Sequence, residues 1–247
     1  MSSPNRLRDL VERLRADCPW DKAQTAETMR PYLLEEAYEV LDALDHADPA
    51  RLQDELGDLL FQVYFHARLA EEKGEFDIAG VVDGIHAKMV ERHPHVFGGG
   101  GDPSIGGWEA RKAAKRGGGS RVDGVPQALP ALVRAHRVGE KVGAVGFDWP
   151  DREGVLTKID EEIAELREAI LSGDTNAIAH EYGDVLLALS SLGRHLGIAG
   201  EDALRLANLR FETRFRDVEH RASIAGISLE NAGPALLDAW WNQAKRT

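Results

Sequence analysis

Leu33-Leu34-Glu35-Glu36-Ala37-Tyr38-Glu39-Val40-Leu41, followed by Glu55-Leu56-Gly57-Asp58, is the stretch that decides the fold. Its acids recur. Glu161, Glu162, Glu165, Glu181 and Asp184 follow Glu35, Glu36, Glu39, Glu55 and Asp58 at one constant offset of 126 positions. The chain holds 42 acidic residues among 247. At that density a five-fold match at a chosen offset arises by chance roughly once in ten thousand, and scanning about a hundred offsets leaves chance about one per cent. The two halves are therefore copies of one unit.

Both copies carry helical pattern. Leu33, Leu34, Ala37, Tyr38, Leu41 and Leu44 surround the first acids, and Leu56, Leu59, Leu60 and Val63 surround their partners. Residues three or four apart share a helix face, so Glu36 converges with Glu39 and Glu55 with Asp58. Packing the two helices antiparallel brings four carboxylates together beside apolar neighbours. Such a cluster repels itself and must take up protons or bind cations. An all-oxygen set suits Mg²⁺ or Mn²⁺, which also hold substrate phosphates. A single acidic motif on a helix is usually a solvated face. Duplication of the whole set argues for a metal site.

Bulk properties narrow the classes. Hydrophobic content of 43% supports a folded core, and 247 residues suffice for two small domains. A net charge of −12 argues against nucleic acid or an anionic membrane surface as the main partner. Cys18, the single cysteine, excludes an internal disulfide. With no apolar leader and no run of membrane-spanning length, the expectation is a soluble cytoplasmic protein.

Taken in order, residues 6–16 read as an amphipathic helix and Cys18-Pro19-Trp20-Asp21 as a turn with an exposed Trp. Thr25 or Thr28 caps the first acid helix. Asp48-Pro49 opens the second, which runs to about Glu72 and stops at Gly74. A helix over 78–92 carries Lys88 and Arg92 on one face, and a glycine-rich loop then leads to a short helix with Trp108 and Lys112. The second half replays this order, with helices at 129–142, about 153–172 and about 175–196. Gly146-Phe147-Asp148-Trp149 stands in place of the Cys-Pro-Trp-Asp turn. Arg210 and Arg214 then match Lys88 and Arg92, and Trp241 and Lys245 match Trp108 and Lys112. Few alternating runs occur, so the chain reads as all-α, two tandem helical-bundle repeats. The first spans 1–116, a glycine-rich linker 117–128, and the second 129–247.

The basic pairs and tryptophans complete a chemical picture. Two cations one turn apart neutralise phosphate oxygens, and a tryptophan stacks on a flat base. Singly, each has a duller explanation, since surface Arg pairs are usually solvated and helix Trp is usually core. Their recurrence in matching order behind matching acid clusters is what points to a nucleotide. His93-Pro94-His95 reads as a rigid turn rather than a metal site.

Together, Cys-Pro-Trp-Asp with Gln24-Thr25, the duplicated EExxE followed by Glu-Leu-Gly-Asp, Arg92-His93-Pro94-His95-Val96-Phe97, and Gly146-Phe147-Asp148-Trp149 resemble the MazG family over nearly the whole chain. That family comprises nucleoside triphosphate pyrophosphohydrolases of the all-α pyrophosphatase superfamily. The resemblance implies tandem MazG domains, a homodimer, Mg²⁺ dependence, and cleavage of NTPs or dNTPs to monophosphate and pyrophosphate. Carried over, the metal ligands are Glu162, Glu165, Glu181 and Asp184, with Glu36, Glu39, Glu55 and Asp58 in the first repeat. Lys158, Arg210, Arg214, Trp241 and Lys245 contact nucleotide, and Arg210 and Thr213 replace residues usual in the family. Glu161 or Glu35, first in each cluster and left free by its neighbours, is the expected general base, beside Glu162 and Glu36.

Three other readings compete with this one. A dUTP or phosphoribosyl-ATP pyrophosphatase shares the scaffold. A di-iron carboxylate bundle needs Glu-x-x-His pairs, and no histidine stands three residues after Glu36, Glu55, Glu162 or Glu181. A helical interaction module leaves both acid clusters without a use. Lys158 has the uncharged Tyr32 as its counterpart 126 positions earlier, and Arg137 and Lys141 add cations upstream, so the second repeat is expected to be the more active.

Overall fold

The structure, a computed structural model, describes residues 3–98 and 119–245, with side chains from residue 5 onward. The helix expected around Trp108 and Lys112 and the first two linker residues lie outside these. Every regular element among the described residues is a helix. The chain divides into two compact units, Met1–Ser104 and Ile105–Thr247. No described helix is long and apolar enough to cross a membrane.

The first unit contains α1 (Ser3–Asp17), α2 (Pro19–Ala23), α3 (Ala26–Asp45), α4 (Pro49–Glu72) and α5 (Ile78–Arg92). Its centre is the α3–α4 hairpin. Thr25 starts α3 through a capping box: the Thr28 N–H donates to Thr25 Oγ1 (3.3 Å) and the Thr25 N–H to Thr28 Oγ1 (2.8 Å). Asp48 starts α4 by accepting from the Ala50 and Arg51 N–H groups, both at 3.1 Å. Cys18-Pro19-Trp20-Asp21, expected as a turn, is instead the entry to the five-residue α2. Proline at the first helical position loses no hydrogen bond there, which is why the break folds as a helix. Trp20 is half exposed and meets Tyr32 edge-on at 5.8 Å.

The core of this unit lies at one end of the hairpin. Val11 of α1, Met29 of α3, and Phe65 and Leu69 of α4 pack with Ala26, Phe61 and Tyr64. Fully burying a side chain such as Phe65 contributes about 2–3 kcal/mol. Arg15 clamps the edge of that core. Its Nη2 lies 2.6 Å from Glu72 Oε2, its Nη1 donates to the Asp21 and Gln24 carbonyls, and its guanidinium stands 5.6 Å from the Phe65 ring.

The second unit contains α6 (Ala131–Gly143), α7 (Arg152–Ser172), α8 (Thr175–His195), α9 (Gly200–Ala225) and α10 (Leu229–Ala244). Its α7–α8 hairpin repeats the first in chemistry as well as shape. Asp174, 126 positions after Asp48, caps α8 through Asn176 and Ala177. Val155 of the core Val155–Ile159–Ala188 occupies the position of Met29. A further core joins Val218 and Ala222 of α9 to Trp240 of α10, and α10 kinks at Gly233 (φ 70°, ψ 159°) before Pro234. Asp148, between α6 and α7, is gripped by Arg194 at the end of α8. Arg194 Nη2 donates to Asp148 Oδ1 at 2.6 Å, Nη1 reaches Oδ2, and His195 Nε2 lies 3.1 Å from Oδ1.

Two predictions follow from this architecture. The residue before each capping Asp is left-handed: Gly173 at φ 74° in the second hairpin and Ala47 at φ 50° in the first. A Cβ in that region costs about 1–2 kcal/mol, more than the backbone entropy that glycine loses, so Ala47→Gly is expected to stabilise by about 0.5–1 kcal/mol in urea unfolding. A neutral or destabilising result removes the strain argument.

The Asp148 carboxyl is held down to about 2 from 3.8, chiefly by the Arg194 hydrogen bond. A depressed folded pKa gives stability that is present above the unfolded value and lost as pH falls from 3.8 through about 2. Asp148→Asn is therefore expected to lose about 2 kcal/mol at pH 7 and to flatten the stability curve across that acid window. An unchanged acid limb in the variant assigns the stabilisation elsewhere.

Candidate metal and nucleotide site

Helical spacing sets the site. In the α3–α4 hairpin, Glu36 of α3 meets Glu55 and Asp58 of α4, each offering an oxygen within 4.8 Å of the others. Glu39 lies outside that set of three but is one of the acids that raise Glu36. In α7–α8, Glu162, Glu165 and Glu181 converge within the same limit, and Asp184 joins through Glu181 in a second set with His180. All eight predicted ligands thus belong to the two hairpin grooves, although the four carboxylates do not crowd about one point in either.

The electrostatics follow from the crowding. Burial, then the neighbouring Asp58 and Glu39, pushes the Glu36 carboxyl above the ordinary carboxylate range. Glu165 is pushed up as well, by lost hydration in the groove first and by Glu162 and Glu181 after it, with Lys158 opposing. Glu162 is itself buried. Carboxylates that stay close at this cost are a donor set for a hard cation, and the oxygens fit Mg²⁺ or Mn²⁺.

Each groove already holds one protein cation, and the two copies place it differently. Lys158 Nζ sits 2.8 Å from both Glu161 Oε1 and Glu162 Oε1, and its pKa is raised by those two bonds. Tyr32 at the matching position offers no charge. The first groove instead uses Arg51, whose Nε donates to Glu55 at 3.1 Å while Nη1 lies 2.5 Å from Asp42 Oδ2. Ala177 stands at that position in the second. Glu35 is exposed on α3, as Glu161 is on α7.

Two cations cited in favour of the second repeat turn out to be structural. Lys141 is buried and donates to the Asp123 carbonyl at 2.9 Å, while Arg137 pairs with Glu140. Burial leaves Lys141 no approach to a phosphate, and Arg137 rests on Glu140.

The nucleotide-contact candidates lie on the following helices. Lys88 is exposed and Arg92 half-buried at the end of α5. Arg210 is exposed and Arg214 half-buried on α9, which packs mainly on α10. Trp241 rests on the α9–α10 core, and Lys245 Nζ lies 5.9 Å from its ring centre. Among the described residues no hydrogen bond or ion pair joins Arg210, Arg214, Trp241 or Lys245 to the carboxylates. Trp108 and Lys112 lie outside the described residues. His93 ends α5 by placing Nδ1 2.7 Å from the Met89 carbonyl, a terminating turn as expected.

Three neighbours escaped the sequence reading. Arg51 stands four residues before Glu55, and His180 four before Asp184, so helix spacing contained both. Phe211 had no such signal: it is 57% exposed, lies 5.0 Å from Trp241 and stacks near Phe215, a contact that only the packing of α9 on α10 creates.

Comparison with known proteins places this geometry. The MazG nucleotide pyrophosphohydrolase domain matches the chain twice, over residues 24–97 and 151–218, each match enclosing one acid hairpin. A nucleoside triphosphate pyrophosphohydrolase/pyrophosphatase MazG of Thermotoga maritima is 41% identical over 243 residues, covering 97% of this chain and 94% of that protein. A nucleoside triphosphate pyrophosphohydrolase of Escherichia coli (strain K12) is 40% identical, covering 100% of this chain and 98% of that one.

Proposed function

Since the chain belongs to the MazG nucleotide pyrophosphohydrolase family, we propose that it hydrolyses nucleoside triphosphates to the monophosphate and pyrophosphate in its two hairpin grooves. The observation that carries this reading is the convergence of carboxylates at matching positions in both hairpins. Glu162, Glu165, Glu181 and Asp184, and in the first repeat Glu36, Glu39, Glu55 and Asp58, are the residues that would hold Mg²⁺ or Mn²⁺. Such a cation, when bound, neutralises phosphate charge.

The remaining work falls to the chain. Glu161, exposed beside the ligands, takes a proton from the water that attacks the α-phosphorus, with Glu35 its first-repeat counterpart. The bond from the α-phosphorus to the bridging oxygen breaks, and pyrophosphate leaves with its charge met by Arg210 and Arg214, or by Lys88 and Arg92. Lys158 has two carboxylate partners at rest and exchanges one for a phosphate oxygen when nucleotide arrives. Trp241, with Phe211 at its edge and Lys245 over its ring, offers a stacking face to the base. Trp108 and Lys112 have the corresponding first-repeat roles.

The test is pyrophosphate release from a panel of NTPs and dNTPs with Mg²⁺. Glu162→Gln with Glu165→Gln is expected to lower turnover at least about a hundredfold, and Glu36→Gln with Glu39→Gln to lower it far less. The reverse ranking would move the main centre to the first repeat, and normal rates in both pairs would sink the reading altogether. In the same assay Trp241→Ala raises KM more than it lowers kcat, because stacking serves ground and transition states alike.

We also propose a cytoplasmic homodimer. Leu56, Leu60 and Val63 form an exposed stripe at helical spacing on α4, and Tyr182, Leu186 and Leu189 repeat it on α8. Apolar stripes of this kind mark interfaces, and a second copy of the chain offers the matching surface. Light scattering is expected to give twice 27.1 kDa for the native chain and a single chain's mass for Leu60→Glu with Leu186→Glu. A native mass of one chain at tens of micromolar would rule the dimer out.

A further inference from the structure

The carboxylates of the two hairpins match position for position, but the residue beside them does not. His180 stands immediately before Glu181 and one helical turn before Asp184, whereas Asp54 holds the position 126 residues earlier. His180 Nδ1 lies 3.1 Å from Asp184 Oδ2 and 3.5 Å from Glu181 Oε1. One atom from each of the three side chains falls within 4.8 Å of the other two. The first groove has no such nitrogen: its set is Glu36, Glu55 and Asp58, oxygen throughout.

A simple His–Asp pair one turn apart on a helix accounts for the 3.1 Å contact alone. It does not account for the same nitrogen facing Glu181, whose carboxylate also belongs to the Glu162–Glu165–Glu181 set. The imidazole is free to act as a ligand as well. With 74% of its side chain exposed, it can carry its proton on a hydrated Nε2, which gives up the Nδ1 contact with Asp184 and turns the lone pair toward a shared cation instead. An imidazole nitrogen adds little for Mg²⁺, which prefers oxygen and retains its waters, more for Mn²⁺, which accepts oxygen and nitrogen donors alike, and most for Co²⁺ or Zn²⁺.

Resting on the reading of this groove as the divalent-cation site of a pyrophosphohydrolase, we propose that His180 is a nitrogen donor to the second-repeat cation. It makes that centre favour transition metals over Mg²⁺, while the all-oxygen first centre has no such bias. One chain then carries two related centres that differ in the metal they select.

The experiment uses the full chain with Glu36→Gln and Glu55→Gln, so that the second centre reports alone. The protein is stripped of metal, loaded with Mn²⁺, read by pulsed electron paramagnetic resonance, and titrated with Mg²⁺ as competitor. A ¹⁴N coupling from a directly bound imidazole is expected, and His180→Asp, which installs the first-repeat residue, abolishes it. The preference for Mn²⁺ over Mg²⁺ falls at least about tenfold in the same variant. His180→Asn, which removes the imidazole without adding charge, gives the same spectroscopic loss. A coupling that is absent in the His180 protein, or that persists in both variants, overturns the proposal, as does an unchanged metal preference. Failure of the underlying reading looks different: Mn²⁺ binding would then be missing, or would survive Glu162→Gln with Asp184→Asn, and that result overturns both.

Discussion

Repulsion among carboxylates is the constraint on which the rest of this molecule depends. Each hairpin holds at least three acids with oxygens inside 4.8 Å, and the Glu36 and Glu165 carboxyls are raised by lost hydration first and by their acidic neighbours after it. Left to themselves, two helices carrying such a row would slide or splay apart. Here they are fixed at both ends. Asp48 and Asp174 cap α4 and α8 at the tight turn, and the cores built on Met29 and Val155 lock the far end. The acids sit between cap and core, in the span where the chain has least freedom to relax. A cation bound between the acids would relieve that strain, which is the physical ground of the proposed metal site.

The protein relieves part of that strain from within, and it does so differently in its two halves. Arg51 draws on Glu55 from outside the first groove and shares itself with Asp42, so Glu55 is partly satisfied before any ligand arrives. Lys158 bridges Glu161 and Glu162 in the second groove. An arginine anchored between two acids is hard to displace. A lysine on a flexible stem can let go of the exposed Glu161 for a phosphate while it keeps its bond to the buried Glu162. The second groove is thus the better prepared for exchange, for a reason narrower than a count of nearby cations, since Lys141 and Arg137 are spent on structure.

Most of the fold was legible because it rests on local rules that repeat. Helical spacing and the capping residues Thr25, Asp48, Asp77, Asp151 and Asp174 put the helices where the sequence predicts them, to within a few residues. The carboxylate groups were legible for the same reason, since i, i+3 spacing fixes which acids share a face. The turn at Cys18 was misread because proline signals a break and a helix start with equal force, and only the surroundings decide. What sequence did not supply was side-chain direction. Nothing in the spacing of Arg137 and Lys141 says that one turns to Glu140 and the other inward to Asp123. The Asp148–Arg194–His195 cluster, spanning 46 and 47 positions, and the Phe211–Trp241 contact are likewise products of packing.

The layout of the second unit bears on how chemistry and recognition are divided. The acids stand on α7 and α8, whereas Arg210, Arg214, Trp241 and Phe211 stand on α9 and α10, which hold each other through the Val218–Ala222–Trp240 core. The residues proposed for recognition therefore stand on a packed pair of their own, and those proposed for catalysis on the capped hairpin. Substitutions in the first pair can alter the base preferred without disturbing the carboxylates, because no side-chain bond among the described residues joins them. The reverse also holds: a change of metal donor on α8 leaves the stacking face intact. On the proposed reading, two cores in one unit would let substrate choice and cation choice vary independently, and a duplicated chain could keep one chemistry while its two halves diverge in what they select.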